Sequence, residues 1–391
     1  MSVSRRAVVF APFFSGDAPV SRPRLVGSVL AERMPVDVIT SDFDHARKSK
    51  RDHFACSPFA RIVCLRSRPY GSNVGAARLL SHLHLAFKAA AYFWKNRNQY
   101  DVVYVTAPLN VMAWLVFVLA AGKTRIIDVV DIWPDVLPFS PLARTLLAPA
   151  FALWKWFFKS AVGKADLVMA VSDEFICEAA RYASKTATVK RFYIGHEKLT
   201  AATEKEPVFT IAYVGNLGRL YDFETLIDVL ASDRLRGRVQ LFVIGSGDRQ
   251  DWLLGELESR KVQYRFFGPI YDHKRLADIL RGCHIGFNGY INTTAAFSYK
   301  ANTYFAAGLP ILNSMNGDLR RLVAAHRLGE NYEGGNRQQL GQCIVRLLGN
   351  GTAEMAACCE RFFAAQLESA GISAEISQFI EARLRSTGVS V

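Results

Sequence analysis

The feature that most constrains the fold is a regular alternation between short apolar runs and segments of helical length. In the first half of the chain, the apolar runs that indicate buried strands are 8–14, 36–40, 102–106, 125–131, 167–171 and 188–194. A polar stretch without periodicity follows at 195–207, and the alternation then restarts with runs at 209–214, 239–244, 264–267, 284–288 and 310–312. Because strands that alternate with helices build parallel sheets, the sequence predicts an α/β protein with two Rossmann-like domains.

The predicted domain boundaries follow the polar stretch. We expect an N-terminal domain over residues 1–197 and a C-terminal domain over residues 207–365. Residues 353–385 have the pattern of an amphipathic helix with no strand to complete, so we expect the remaining residues, 366–391, to form a C-terminal helix that braces the two domains.

The cysteines and the apolar runs indicate the compartment. The seven cysteines are odd in number and include no CxxC pair, so neither a disulfide framework nor a structural zinc site is expected. The N-terminus does not have the pattern of a secretory signal, and no apolar run reaches the roughly 20 residues that span a bilayer. We therefore expect a cytoplasmic protein without a membrane-crossing helix.

Charge is distributed unevenly along the chain. Residues 1–200 carry 27 Lys and Arg against 15 Asp and Glu, whereas the rest of the chain is close to neutral. The N-terminal half is therefore expected to meet an anionic partner, which could be nucleic acid, an anionic lipid surface or a phosphorylated substrate. Nucleic acid is the least favoured of the three, because no recognisable nucleic-acid-binding motif is present and long apolar stretches separate the basic residues.

Two glycine-containing loops in the second half could hold phosphate groups. Each follows a predicted strand, where the backbone can approach a ligand and a helix N-terminus offers unpaired N–H groups. The first loop also contains a cation, Arg219, and a plausible helix cap, Asp222. The glycines and polar residues assigned to the site in these loops are Gly215, Asn216, Gly218, Gly245, Ser246 and Gly247. Each loop alone could equally be an ordinary turn.

Lys300 lies in the first turn of a helix that Ser298 can cap and Gly308 can end. A lysine at this position opposes the helix dipole. It therefore needs either an anionic partner or free solvation, and both alternatives remain open from the sequence.

Five segments in order resemble the retaining, nucleotide-sugar-dependent glycosyltransferases of family 4, which have the GT-B fold and act in bacterial surface-polysaccharide pathways. The segments are SRPRLVGSVLAERMPVDVIT (21–40), DIWPD (131–135), GNLGRLYDFETL (215–226), GPIYDHKRLADIL (268–280) and YFAAGLPI (304–311). The resemblance implies a nucleoside-diphosphate sugar, UDP- or GDP-linked, held by the C-terminal domain. It implies that the acceptor is held by the N-terminal domain.

The same resemblance suggests roles for individual residues. Arg219 and Lys300 would stabilise the departing diphosphate in place of a metal, so no cofactor or metal is expected. Tyr299, Asn302 and Thr303 would contribute to donor binding. Two glutamates that are common in the family correspond here to Ala295 and Thr303. A catalytically degenerate sugar-nucleotide-binding or scaffold protein therefore remains an alternative, as does a GT-B sugar-nucleotide epimerase.

The acceptor residues suggested by the resemblance lie in the N-terminal half. Asp131 would contact the acceptor hydroxyl or shape the acceptor loop, with a structural cap as the competing interpretation. Ser21, Arg22 and Trp133 are the further residues assigned to acceptor binding.

A basic and aromatic stretch at 138–164 suggests a helix in the plane of the lipid headgroups. The residues predicted to contact the membrane are Arg144, Trp154, Lys155, Trp156 and Lys159. A buried helix would explain the aromatic residues but not the cations. We therefore expect a peripheral protein on the inner face of the cytoplasmic membrane, with a lipid-linked or glycan acceptor.

Asp42 and Asp44 form a DxD sequence, which is a metal-binding signature in another glycosyltransferase fold. It follows a predicted strand and precedes a basic run, so we interpret it as a solvated loop. No metal site is predicted elsewhere, because the histidines lack metal-ligand spacing.

Overall fold

In a computed structural model, the chain divides into two compact units. Unit 1 comprises Met1–Tyr193 and Ile372–Val391, and unit 2 comprises Ile194–Gly371. The structure describes residues 5–14, 21–45, 48–51, 58–71, 75–134, 140–291 and 297–386. Ala295 and Asp135, both considered in the sequence analysis, lie outside these residues. Each unit is built on a parallel sheet with helices, which confirms the predicted α/β class.

Unit 1 alternates strands and helices as the apolar pattern predicts. Its strands are β1 (Ala7–Phe10), β2 (Val36–Ser41), β3 (Phe43–Asp44), β4 (Ser49–Lys50), β5 (Arg61–Leu65), β6 (Val102–Ala107), β7 (Thr124–Val129), β8 (Leu167–Ala170) and β9 (Thr188–Arg191). The helices are α1 (Arg22–Ala31), α2 (Ala76–Asn96), α3 (Asn110–Leu119), α4 (Pro141–Leu146), α5 (Ala148–Lys164) and α6 (Asp173–Ala180).

Seven of the strands described in unit 1 form a parallel sheet in the order β5-β2-β1-β6-β7-β8-β9. All residues of β1, β2, β6 and β8 are buried, as expected for strands covered by helices on both faces. Strands β3 and β4 form a separate antiparallel pair.

Unit 2 repeats this architecture. Its strands are β10 (Phe209–Asn216), β11 (Val239–Ser246), β12 (Gln263–Gly268), β13 (Ile285–Asn288), β14 (Ile311–Asn313) and β15 (Gly329–Asn331). The helices are α7 (Phe223–Leu230), α8 (Gln250–Ser259), α9 (His273–Gly282), α10 (Tyr299–Ala306), α11 (Asp318–His326), α12 (Arg337–Asn350) and α13 (Ala353–Gln366). Within the described residues the sheet order is β12-β11-β10-β13-β14-β15, which is that of a dinucleotide-binding Rossmann fold.

The last helix, α14 (Ser369–Ser386), is separate from α13. The sequence pattern suggested one continuous helix from 353 to 385, but the chain leaves the helix after Gln366. Most of α14 packs within unit 1: the Phe379 ring lies 5.3 Å from the Phe192 ring, and Arg383 donates a hydrogen bond to Asp166 at 3.0 Å.

The polar stretch at 195–207 belongs to unit 2 and is held against the rest of that unit. The backbone N–H of Leu199 donates to the carbonyl of Ala306, and the ammonium of Lys205 donates to the carbonyl of Cys283. These contacts explain why the domain division falls at Tyr193, before the polar stretch. Among the described helices, none combines the length and the apolar character that a bilayer span requires.

Candidate functional site

The candidate site of unit 2 lies where the strand order reverses. Strand β10 pairs with β11 on one side and with β13 on the other, and connections leave in opposite directions from this point. Ligands of open α/β sheets bind outside the carboxyl ends of strands at such a switch point. The loop after β10, the residues after β13 and the first turn of α10 meet there.

The two glycine loops pack tightly against each other. Gly215 and Gly245 are register partners and have φ values of 134° and 144°, which an L side chain rarely adopts. A Cβ atom on Gly245 would lie 1.8 Å from the carbonyl oxygen of Gly215, and one on Gly247 would lie 2.4 Å from the carbonyl oxygen of Leu217. These glycines therefore permit close approach of the two loops, whatever else they contact.

The other loop residues assigned to donor binding follow the same two strands. Asn216 and Ser246 are exposed register partners at the strand ends. The backbone carbonyl of Asn216 accepts a hydrogen bond from Tyr213 Oη, and that of Ser246 accepts one from the N–H of Leu217. A Cβ atom on Gly218 would lie 3.0 Å from the amide nitrogen of the Asn216 side chain. The side chains of Asn216 and Ser246 thus remain at the surface of this edge.

Lys300 points into a cage formed by three tyrosines. Its ammonium nitrogen lies 3.2 Å from the ring centroid of Tyr221, 4.6 Å from that of Tyr290 and 4.9 Å from that of Tyr213. It also donates a hydrogen bond to Tyr213 Oη at 3.3 Å. The stem of Lys300 fills the space beside Gly215, where a Cβ atom would lie 3.0 Å from Lys300 Cδ. Free solvation of Lys300, which was one of the two alternatives left open by the sequence, is therefore wrong.

The electrostatic environment of Lys300 is unusual for a lysine. No acidic side chain in the described part of the chain forms an ion pair with it, and burial lowers its pKa from 10.5 to about 6. The tyrosines supply cation–π and hydrogen-bonding contacts but no negative charge. A desolvated lysine that no acidic side chain neutralises regains its charge most readily beside an anion, so this position is suited to an anionic ligand.

Arg219 lies on the same loop, two residues before Tyr221. Its side chain is exposed and makes no hydrogen bond or ion pair with any residue that the structure describes.

Asp222 occupies the N-cap position of α7, but its carboxylate does not cap the helix. Instead, the carboxylate accepts hydrogen bonds from Tyr332 Oη at 3.0 Å and from the backbone N–H of Gly335 at 2.9 Å.

Helix α10 is fixed to the switch point by Tyr304. Its hydroxyl accepts a hydrogen bond from the N–H of Val214 on β10 and donates one to the carbonyl of Phe287 on β13. Ser298 occupies the N-cap position, but its hydroxyl lies 3.2 Å from Tyr290 Oη and does not cap the helix. Gly308, at φ 66°, ends the helix as predicted. The first turn of α10, which carries Lys300, is therefore positioned by both central strands.

The other α10 residues assigned to donor binding have partners within unit 2. The Asn302 amide donates to the carbonyl of Ile194 at 2.7 Å, and the side chain is fully buried. The Thr303 hydroxyl lies 3.2 Å from His196 Nε2. The ring of Tyr299 lies 5.6 Å from that of His196 and is half-exposed. Of these three side chains, only that of Tyr299 presents a substantial exposed surface.

In unit 1, Asp131 forms a local turn with Trp133. Its carboxylate accepts hydrogen bonds from the N–H of Ile132 at 3.0 Å and from Trp133 Nε1 at 2.8 Å. Burial raises the pKa of Asp131. The Trp133 ring stacks on His82, with a centroid distance of 5.7 Å, and the Arg78 guanidinium carbon lies 4.5 Å from the Trp133 ring. Asp131 therefore orients an aromatic and basic cluster at the carboxyl end of β7.

Arg22 and Ser21 occupy the start of α1. The guanidinium of Arg22 is buried and forms a bidentate ion pair with Asp128, with N···O distances of 2.9 and 3.1 Å. Tyr104 Oη donates a third hydrogen bond to the same carboxylate. Ser21 is the N-cap residue, but its hydroxyl makes no cap hydrogen bond. The ion pair of Arg22 therefore fixes α1 to the sheet.

The residues predicted to contact a membrane lie on α4 and α5. Trp156 is half-exposed and its ring contacts those of Trp114 and Phe157, whereas Trp154 packs edge-on against Trp133. The exposed Lys159 lies over the Tyr182 ring at 4.7 Å. The two remaining residues, Arg144 and Lys155, are partly exposed.

The DxD sequence is part of the folded structure, so its interpretation as a solvated loop is wrong. Asp44 is buried on β3 and pairs with Arg51 at 2.7 Å, while Asp42 accepts hydrogen bonds from the N–H and hydroxyl of Ser67. Among the residues that the structure describes, no cluster of three or more His, Cys, Asp or Glu could hold a metal ion.

The C-terminal part of the chain matches a known protein family. Residues 208–350 match the family model described as glycosyl transferases group 1. Unit 2 contains a group 1 glycosyltransferase domain. No curated protein matches the chain in sequence.

Solved glycosyltransferase structures match this domain together with the rest of the chain. Sucrose-phosphate synthase from Thermosynechococcus elongatus is 17% identical, with a TM-score of 0.73 over 98% of this chain and 100% of that one. HepE from Anabaena, in complex with UDP and glucose, is 18% identical, with a TM-score of 0.64 over 97% and 100%. WaaG, a glycosyltransferase involved in lipopolysaccharide biosynthesis, is 15% identical, with a TM-score of 0.66 over 96% and 99%. These similarities establish the GT-B fold.

Proposed function

We propose that the protein transfers a sugar, with retention, from a nucleoside-diphosphate sugar to a lipid-linked glycan acceptor during assembly of a surface glycan. The observation that carries the proposal is the desolvated Lys300 at the switch point of the glycosyltransferase domain. The description of HepE with UDP and glucose supports a UDP-linked donor, and that of WaaG supports a role in surface-glycan assembly. Retention rests on the family resemblance.

The proposed mechanism uses positive charge where negative charge develops. As the bond between the sugar and the phosphate breaks, charge accumulates on the departing diphosphate. Lys300 and the exposed Arg219 would stabilise that charge without a metal ion. The acceptor oxygen bonds to the anomeric carbon on the face from which the phosphate leaves, and its proton passes to the departing phosphate oxygen. Asp131 would orient the acceptor loop through Trp133.

We further propose that unit 1 associates with the inner face of the cytoplasmic membrane. Large apolar side chains are exposed on helices of this unit, including Phe87 on α2 and Leu142 and Leu146 on α4. The excess of positive charge in residues 1–200 would attract anionic lipids.

A catalytically inactive sugar-nucleotide-binding protein is the second candidate. It is favoured by one observation: Thr303, which corresponds to a family glutamate, bonds to His196. Turnover without an acceptor separates the two candidates, since an enzyme would slowly hydrolyse its nucleotide sugar whereas a binding protein would not.

The experiment begins by measuring thermal stability with a panel of UDP- and GDP-linked sugars, because a bound ligand raises the melting temperature. With the best donor, Arg219→Ala is expected to lower the hydrolysis rate by about 10²- to 10³-fold, as for loss of one group that stabilises a developing anion. The exposed Arg234 of the same unit provides the matched control, Arg234→Ala. Equal rates for the two variants would contradict the assignment of Arg219.

A further inference from the structure

We propose that unit 1 contains a binding site for the phosphate ester of a long-chain apolar alcohol, with the chain in an apolar pocket and the phosphate at Arg78 and Lys48. The inference rests on the proposed function and specifies how the lipid of the acceptor is held. It arises from a pocket and a basic cluster that share one residue, His82.

The pocket lies between α2, α3 and α5 and encloses a volume of about 200 Å³. Nearly all of its wall is apolar, with side chains that include Leu79, Leu83, Met112, Leu153, Trp154 and Phe157. Leu79 and Leu153 are 40% and 56% exposed, so the pocket has a wall that reaches the protein surface. An apolar chain can therefore enter the pocket past Leu79 and Leu153.

The basic cluster adjoins the pocket at His82. His82 lines the pocket and stacks on Trp133, whose ring lies 4.5 Å from the Arg78 guanidinium carbon. On the other side of His82, the ring of Tyr70 lies 5.9 Å away, and the ammonium of Lys48 lies 5.0 Å from the Tyr70 ring. Each cation thus contacts an aromatic ring that in turn packs against His82, the residue that lines the pocket.

The charges in the cluster favour an anion. Burial and the charge of Arg78 both lower the pKa of Lys48, and burial lowers that of Arg78. The carboxylates that face the cluster are Asp131, which is hydrogen-bonded to Trp133, and Asp44, which is paired with Arg51. Burial lowers the pKa of His82 to about 3 and that of His45 to about 4, so both rings are neutral near pH 7. A phosphate would relieve the repulsion between the two cations.

The apolar pocket and the basic cluster together specify the ligand more closely than either of them does alone. A pocket alone would accept any apolar group, and cations alone would accept any anion. Their contiguity through His82 fits an amphiphile whose anionic head follows directly on an apolar chain. A lipid-linked acceptor of a glycosyltransferase has this chemistry when its lipid is joined through phosphate.

The test measures binding of geranyl phosphate, geraniol and inorganic phosphate to the full chain by isothermal titration calorimetry. We expect the wild-type protein to bind geranyl phosphate at least about tenfold more tightly than either geraniol or inorganic phosphate. Ala150→Trp, which fills the pocket from an exposed position on α5, should weaken binding of geranyl phosphate and geraniol by about tenfold. Ala152→Trp, at an exposed position of the same helix outside the pocket lining, is the matched control. Arg78→Gln should weaken the binding of geranyl phosphate and leave the binding of geraniol unchanged.

The proposal is overturned if geraniol binds as tightly as geranyl phosphate, or if Ala150→Trp and Ala152→Trp bind geranyl phosphate equally. Binding by inorganic phosphate as tight as by geranyl phosphate would also overturn it, because the pocket would then contribute nothing. The comparison of ligands on the wild-type protein decides the matter even if a variant does not fold. UDP-glucose binding, measured on the same preparation, tests the proposed donor function separately.

Discussion

Donor binding should depend on proton uptake by Lys300. With a pKa of about 6, this lysine is protonated in only about 3% of ligand-free molecules at pH 7.5. Protonating it at that pH without a ligand costs about 2 kcal/mol, because each pKa unit corresponds to about 1.4 kcal/mol. A diphosphate against the ammonium favours the charged form, so binding should raise the pKa towards its ordinary range and take up about one proton.

The assay is titration calorimetry with UDP-glucose at pH 7.5 in phosphate and in Tris, whose ionisation enthalpies differ. Proton uptake appears as a difference between the two observed binding enthalpies. UDP-glucose is suitable because its diphosphate has no group that titrates near this pH. The burial that raises the pKa of Tyr213, Tyr221 and Tyr290 also keeps the cage neutral. The dissociation constant should rise by about tenfold per pH unit between pH 7 and 9.

Lys300→Met removes the titrating group while retaining an apolar stem of similar length. This variant should lose the proton uptake and most of the affinity, whereas Lys274→Met, at an exposed position on α9, should behave like the wild type. Tight binding of UDP-glucose by the wild type without proton uptake would refute the reasoning. The same uptake in Lys300→Met would assign the proton to another group.

The same lysine should affect the stability of the ligand-free protein. Its native pKa lies below the unfolded value, so the unfolded chain binds more protons between pH 6 and about 10.5. Stability should therefore rise with pH in this window, by up to about 1.4 kcal/mol per unit, and Lys300→Met should remove that rise. A wild-type stability that falls from pH 7 to pH 9, relative to Lys300→Met, would contradict the assigned environment.

Two further predictions concern unit 1. Replacing Trp154, Trp156 and Lys159 together by alanine should release the protein from anionic vesicles in a sedimentation assay, because the change removes apolar area and charge from α5; undiminished binding would show that this face is not the contact. Arg22→Gln should destabilise unit 1 by about 3–5 kcal/mol in denaturant unfolding, because it leaves the buried Asp128 carboxylate without its ion pair. The double variant Arg22→Met, Asp128→Leu should cost less than Arg22→Gln, and a cost as large would contradict this explanation.

The fold could be predicted from the sequence because the central strands are continuous apolar runs. Of the strands described in the two parallel sheets, the two that the sequence missed, β5 and β15, lie at the sheet edges. In β5 the residues are partly exposed, so no buried run marks it, and β15 consists of Gly, Glu and Asn, without an apolar side chain. Such edge strands are held by pairing with a neighbour, which local pattern does not reveal.

The candidate site was predicted only in part. The glycine loops and Lys300 could be assigned to one sheet edge because each follows a strand or begins a helix. The tyrosine cage could not be predicted from the sequence, because Tyr213, Tyr221 and Tyr290 come from different segments of the chain. The ion pair of Arg22 with a residue 106 positions away was likewise outside the reach of local reasoning.

The most direct test of the account is a crystal structure of the protein with UDP. We predict that an oxygen of the diphosphate lies within about 3 Å of the Lys300 ammonium, as in a charge-assisted hydrogen bond, with Arg219 turned towards the same group. UDP bound elsewhere, or bound here with its diphosphate away from both cations, would contradict the central claim.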